Sequence, residues 1–288
     1  MRSPAGLALA VLVPLLWSSI GRAQPSQPAE ITANYAIYGA GLNTARLEAR
    51  LSVAPSSYQA RLNYRTAGLF GALFPAESST LAQGFWRGDD VAPFHFAASG
   101  RFHGASRLTV MDYQAGQPLV RALVPANDAE REPVPSNLER NTIDTLSAMV
   151  LLVRRVQESG RCDAHAVTFD GRRLIDVTAH TAGVQQLPRS GRSPYFGPAL
   201  RCDFEGRQLG GFRHGEDASL LRRPRRGSAW LAPAVAGAPP IPIRLVFETL
   251  WFGDATVYLT SAVTSPGADA PVPVAGMLGP GAAATERR

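Results

Sequence analysis

The sequence predicts a mainly β protein, an antiparallel meander rolled into a closed or nearly closed barrel with one amphipathic helix packed on it. Two observations lead there. Apolar and polar residues alternate with a period of two through most of the chain, which gives each strand one dry face and one wet face. A single segment, residues 142–159, instead repeats its apolar residues at helical spacing. The remainder is punctuated by Gly, Pro and Asp turns at strand-length intervals, as a meander requires.

The clearest strand is Ala45–Val53, where Ala45, Leu47, Ala49, Leu51 and Val53 face inward and Arg46, Glu48, Arg50 and Ser52 face outward. After Pro55-Ser56-Ser57 the pattern resumes through Tyr58, Ala60, Leu62 and Tyr64, predicting an antiparallel hairpin. Further strands fit at 31–38, 79–86, 94–102, 106–113, 119–124, 164–169, 174–181, 200–204, 241–248 and 255–263. Asp170-Gly171 is a strong two-residue hairpin signal and Glu205-Gly206 a weaker one. In the helical segment, Ile143, Leu146, Val150 and Val153 form a stripe joined by Met149, Leu152 and Val156. Asn141 or Thr142 caps its start, Asp144 complements the positive end of its dipole, and Gly160 stops it. Such a helix buries its stripe on a sheet, across one open end of the barrel.

Residues 1–23 carry a basic start, an apolar run and a small-residue end, the pattern of a signal peptide cleaved near Ala23. The expectation is a periplasmic protein, with 24–29 a flexible lead-in, 30–264 one β domain and 265–288 a disordered Pro/Gly/Ala-rich tail. The apolar run is too short for a membrane-spanning helix and contains Pro14, so no transmembrane segment is expected in the mature chain. Cys162 and Cys202 are the two cysteines, and in an oxidising compartment they pair. A bridge over that loop contributes about 3–4 kcal/mol in the chain-entropy model.

The net charge is +6, and all 29 basic residues are arginine. Coding bias accounts for this together with the many alanines, glycines and prolines, although an arginine fork also suits phosphates and carboxylates. Arg222, Arg223, Arg225 and Arg226 form the densest basic cluster. It reads as a solvated loop, with contact to an anionic membrane surface as the alternative. The connectors 125–140 and 185–198 read as mobile and poor in core positions. Residues 68–75 form either a flexible apolar lip or a buried strand.

No catalytic signature is found. The histidines are scattered without metal-ligand spacing, no GxSxG elbow is present, and Asp89-Asp90 and Glu216-Asp217 fall in turns. The expectation is therefore a non-enzyme without metal or other cofactor, and without a nucleic-acid partner because no aromatic-basic motif occurs. Tyr58, Tyr64, Phe94, Phe96, Phe247 and Trp251 lie on inward faces. Their ordinary role is core packing, but a barrel wider than eight strands leaves space that aromatics line for an apolar or amphipathic, lipid-like ligand. The alternative is an envelope assembly factor acting through a strand edge or a loop on another envelope protein. A hydrolase ranks lower. An integral outer-membrane barrel is disfavoured by outward charges such as Arg46, Glu48, Arg61 and Arg65.

Several elements together resemble the bacterial family known as domain of unknown function 3108. They are Tyr35-Ala36-Ile37-Tyr38-Gly39-Ala40-Gly41 with the alternating strands after it, Gly84-Phe85-Trp86 with Pro93, and Asp144-Thr145-Leu146-Ser147. Phe169–Arg173 and Pro242-Ile243-Arg244-Leu245 complete the likeness. The resemblance implies an exported antiparallel β protein and brings no activity or catalytic residues with it.

Overall fold

The computed structural model describes residues 29–249 and 253–266. Thirteen antiparallel strands form one sheet. The first seven are β1 (Ala29–Gly39), β2 (Leu42–Val53), β3 (Ser57–Thr66), β4 (Ala76–Arg87), β5 (Asp90–Phe102), β6 (Ala105–Gln114) and β7 (Gln117–Val124). The other six are β8 (Ala164–Phe169), β9 (Leu174–Leu187), β10 (Gly197–Gly210), β11 (Arg225–Pro233), β12 (Pro240–Glu248) and β13 (Asp254–Pro266). Their order across the sheet is β7-β6-β5-β4-β3-β2-β1-β13-β12-β11-β10-β9-β8. Apart from β7 and β8, each strand pairs with its sequence neighbours, as a meander should, and β1 against β13 joins the two halves.

The sheet is not closed by hydrogen bonds between its end strands β7 and β8. Their surroundings meet through the segment between them instead. Ile143 makes a parallel bridge to Thr168, the Asn141 amide donates to the Gly116 carbonyl, and Arg172 donates to the carbonyls of Val124 and Pro125, each at 2.8 Å. Gly171, at φ +85°, presses so closely on Thr109 and Met111 of β6 that a Cβ would collide there. Arg107 and Glu130 add a bidentate pair at 2.7 Å along the same line.

The connector 125–144 thus holds structure that its composition conceals. It carries a 3-10 turn at Asn127–Ala129 and a short helix (Ser136–Glu139), and Val134 is buried with Phe96, Met111, Phe169 and Leu174. The reading of this stretch as poor in core positions is corrected: proline removes backbone donors but not apolar surface, and Val134 uses that surface.

Among the described residues there are four α-helices, α1 (Gly68–Leu73), α2 (Ser136–Glu139), α3 (Thr145–Ser159) and α4 (Ala218–Leu221). Only α3 is long. It begins after the capping positions read from the sequence, because Asp144 itself is the N-cap and accepts from the Ser147 amide at 2.8 Å. Gly160 ends it in the left-handed conformation, as expected. The helix touches β3, β4, β5, β8 and β12, so its apolar stripe is buried on the sheet as expected. Its Val150 and Leu151 pack on Tyr58, Ala60 and Val91, while Val153 and Val156 pack on Ala229, Leu231 and the cysteine pair.

Several further expectations need correction. Strand β11 was not foreseen, since Ala229, Trp230, Leu231 and Ala232 are all buried and leave no alternation to see. Glu205-Gly206 is no turn but lies within β10, with Gly206 opposite Val177 and Arg225. Strand β9 runs on to Leu187 and β10 starts at Gly197, which leaves residues 188–196 of the second connector. Residues 68–73 form α1, not a buried strand. Ala29 begins β1 and Ser265 still belongs to β13, so the domain edges shift by one and two residues. The expected signal peptide, the rest of the expected lead-in and the tail beyond 266 lie outside the described residues, as does Trp251.

Candidate functional site

Cross-strand partners on the face beneath α3 decide where space is left. Ala164 sits opposite Ala179, Ala166 opposite Val177, and Thr168 opposite Ile175. The row continues through Phe204, Gly206 and Gln208 of β10, Ala229 of β11, and Leu245 and Phe247 of β12. Small residues oppose one another here, so side chains do not span the distance to Ala148, Met149, Leu151 and Leu152 of α3. A cavity of about 660 Å³ remains, within the range of small-molecule sites.

Its rim has a different character from its walls. Arg131, Arg173, Arg213, Arg223, Arg225 and Arg226 line it, with Glu216 and Glu248 as the acidic members. Arg173 pairs with Asp170 at 2.7 Å, Arg213 with Glu216 at 3.4 Å, and Arg226 with Glu205 at 2.9 Å. Arg131 donates to the Gly211 carbonyl. Burial, and then the positive charges of Arg173 and Arg213, hold its guanidinium below the usual arginine value, with Asp170 and Glu130 opposing.

The cluster read from sequence as a solvated loop divides. Arg225 and Arg226 begin β11, while Arg222 leaves the cavity and stacks 4.7 Å over the Phe212 ring. Of the aromatics proposed as a lining, Phe247 is on the cavity wall. Phe96 is buried in the core with Met111. Phe94 packs on Phe85 with ring centroids 5.1 Å apart, and Tyr64 borders a polar concavity with Asn63, Glu48 and Ser78. The residues missed are the alanines and Gly206, and the available signal was small residues at inward positions of consecutive strands.

Tyr58 belongs to a buried polar chain. Its hydroxyl donates to Ser147 Oγ at 2.7 Å, and Ser147 Oγ donates to Asp144 Oδ2 at 2.5 Å. Burial pushes the Asp144 carboxyl up to about 6, against the lowering effect of its bonds from Ser147. Gly84 is required beside this chain, because any Cβ there would enter the Tyr58 ring. The Tyr113 hydroxyl, close enough to feel the charge of Asp144, is buried without a hydrogen-bond partner among the described residues. No open space reaches the Asp144 carboxylate, which is fully buried.

Cys162 and Cys202 form a buried disulfide with Cα atoms 5.7 Å apart, tying the exit of α3 to β10 beside the cavity. Among the described residues no group of three His, Cys, Asp or Glu side chains is placed to hold a metal, and no helix is long and apolar enough to cross a membrane.

No characterised protein matches the chain. A solved structure similar to it is a β-barrel-like protein of domain of unknown function 1849 from Brucella abortus. It is 11% identical with a TM-score of 0.48, and the match covers 85% of this chain and all of the other. The family model described as protein of unknown function DUF3108 matches residues 33–260, and the chain belongs to that family.

Proposed function

We propose that this is an exported, periplasmic, non-catalytic binding protein that holds an apolar or amphipathic, lipid-like molecule between α3 and β8–β12. The observation that carries the reading is the cavity of about 660 Å³, walled by Ala, Leu, Val, Ile and Phe beneath α3. Burial of an alkyl chain there gains about 0.8 kcal/mol per methylene. In this reading the sheet is a barrel whose seam is closed by the connector and by Arg172, not by strand pairing. The leader-like first 23 residues and the paired cysteines support export.

Lipid extraction from natively purified protein, read by mass spectrometry, tests it, alongside titration with a fluorescent fatty-acid analogue. Bound lipid and saturable fluorescence support the reading, and Ala166→Trp, which fills the cavity from β8, should weaken the probe at least tenfold while the fold persists. Absence of both signals in the parent protein would overturn it. Export is tested separately by fractionation and by the mass of the mature chain.

A second reading, an envelope assembly factor, has one feature in its favour. Leu69 and Leu73 of α1 are 73% and 63% exposed, with Phe74 and Leu42 also exposed. Glutamine at Leu69 and Leu73 would abolish partner capture in that case and leave the fatty-acid titration unchanged.

A further inference from the structure

We propose that the cavity mouth is an anion site, built for the phosphate or carboxylate head of an amphipathic ligand whose apolar part lies under α3. This rests on the cavity reading above and specifies the other end of the ligand.

The rim is assembled from places far apart in the chain. Arg131 comes from the connector, Arg173 from the β8–β9 turn, Arg213 and Arg223 from the segment around α4, and Arg225 and Arg226 from the start of β11. Six arginines therefore line one apolar chamber whose acidic members are Glu216 and Glu248, although Arg226, the strand neighbour of Arg225, turns its guanidinium to the other face onto Glu205. Ion pairs account for only part of this charge. Arg173, Arg213 and Arg226 each have a carboxylate, whereas Arg225 has no hydrogen-bond or ion-pair partner for its side chain among the described residues. Arg223 lies near Asp217 and adds a small lowering effect on that carboxyl.

Like charges gathered next to low-dielectric walls repel more strongly than on an open surface. Burial first, and the nearby Arg173 and Arg213 charges after it, hold the Arg131 guanidinium below its usual value. An anion seated among Arg131, Arg173, Arg213 and Arg225 would relieve the repulsion, and planar forks bind a phosphate or carboxylate through two parallel hydrogen bonds. Arg225 is placed for this because it stands opposite Gly206. No side chain at Gly206 separates it from the chamber.

The experiment uses delipidated protein and three probes below any micelle threshold: dodecyl phosphate, dodecyl maltoside with the same chain and a neutral head, and inorganic phosphate. Dodecyl phosphate should bind at least tenfold tighter than dodecyl maltoside. Arg225→Gln, which breaks no bond in the structure, should weaken dodecyl phosphate about 3- to 10-fold, the loss of one charge-assisted contact, and leave dodecyl maltoside unchanged. Adding Arg131→Gln should deepen the loss. Equal affinities for the two dodecyl probes would overturn the anion site while sparing the cavity reading. Failure of both to bind would overturn the cavity reading itself. Inorganic phosphate binding as tightly as dodecyl phosphate would overturn the headgroup assignment in favour of a free ion.

Discussion

Along β4 to β6 the enclosed face sets small against large, with Ala82 opposite Phe96 and Phe96 opposite Met111, all buried. Along β8 to β11 it sets small against small, with Ala164 opposite Ala179 and Cys202 opposite Ala229, and a chamber opens beneath the helix. Both regions obey the same two-residue alternation. What separates a filled interior from a hollow one is side-chain volume summed across neighbouring strands, a quantity that no single strand reveals. The β8–β9 hairpin belongs to both regions. Phe169 and Leu174 pack toward β5 and β6, while Ala166 and Val177 face the chamber.

Deleting the same side chain on either side of this divide should give the largest contrast. Phe169→Ala removes a ring from close-packed surroundings and should cost about 3–5 kcal/mol. Phe204→Ala removes a ring from a chamber wall, where contacts exist on one side only, and should cost about 1–2 kcal/mol. Urea titrations of both variants measure the difference, and equal costs would mean that the chamber is not hollow in solution.

Replacing Cys162 and Cys202 with serine should cost about 4 kcal/mol, since the bridge closes 40 residues. It also frees the helix end beside the chamber, so binding of the fatty-acid probe should weaken in a variant that stays folded. Unchanged affinity would show that the chamber does not depend on the tie.

The buried carboxylate on the filled side gives a smaller effect with a definite sign. Asp144 titrates near 6 in the fold against 3.8 for an ordinary aspartate. The folded state therefore holds an extra proton between those values, and stability from this group falls as pH rises from about 4 to 6, then levels. The change is on the order of 3 kcal/mol. Asp144→Asn keeps the cap acceptor and should remove this slope, so the difference between parent and variant across pH 4–7 isolates it. A parallel pair of curves would show that Asp144 does not titrate there.

The smallest effect concerns the stacking of Arg154 over Trp86, 4.2 Å from the ring centroid at the helix surface. Arg154→Gln should cost about 0.5–1 kcal/mol and leave probe binding unchanged, since the residue faces away from the chamber. A loss of affinity would connect the two regions more tightly than their packing indicates.

Much of the fold was legible. Ala45–Val53 and Tyr58–Thr66 pair in the register that alternation gives, with Leu47 opposite Tyr64 and Leu51 opposite Ala60. The α3 stripe buries Val150, Val153 and Val156 as its spacing requires. Period tells which face a residue takes, and the failures are places where that information is lost. Strand β11 has both faces covered, and Glu205-Gly206 borrows the composition of a turn while lying mid-strand. The site was less legible than the fold. Aromatic residues drew attention to the wall, yet most of them fill the other interior, and the wall is made of alanines whose importance lies in what they do not occupy. The rim arginines come from separate segments, so only the rolled sheet brings them together.

The helix is anchored at both ends to strands on different parts of the sheet. At its start the Tyr58 hydroxyl and the Asp144 cap fix it against β3, and just past its end the sulfur bridge fixes it to β10. A strut held in this way sets the girth of the chamber. On the proposed binding reading, occupants would be sorted by cross-section, with a slender single chain favoured over a bulky fused-ring skeleton.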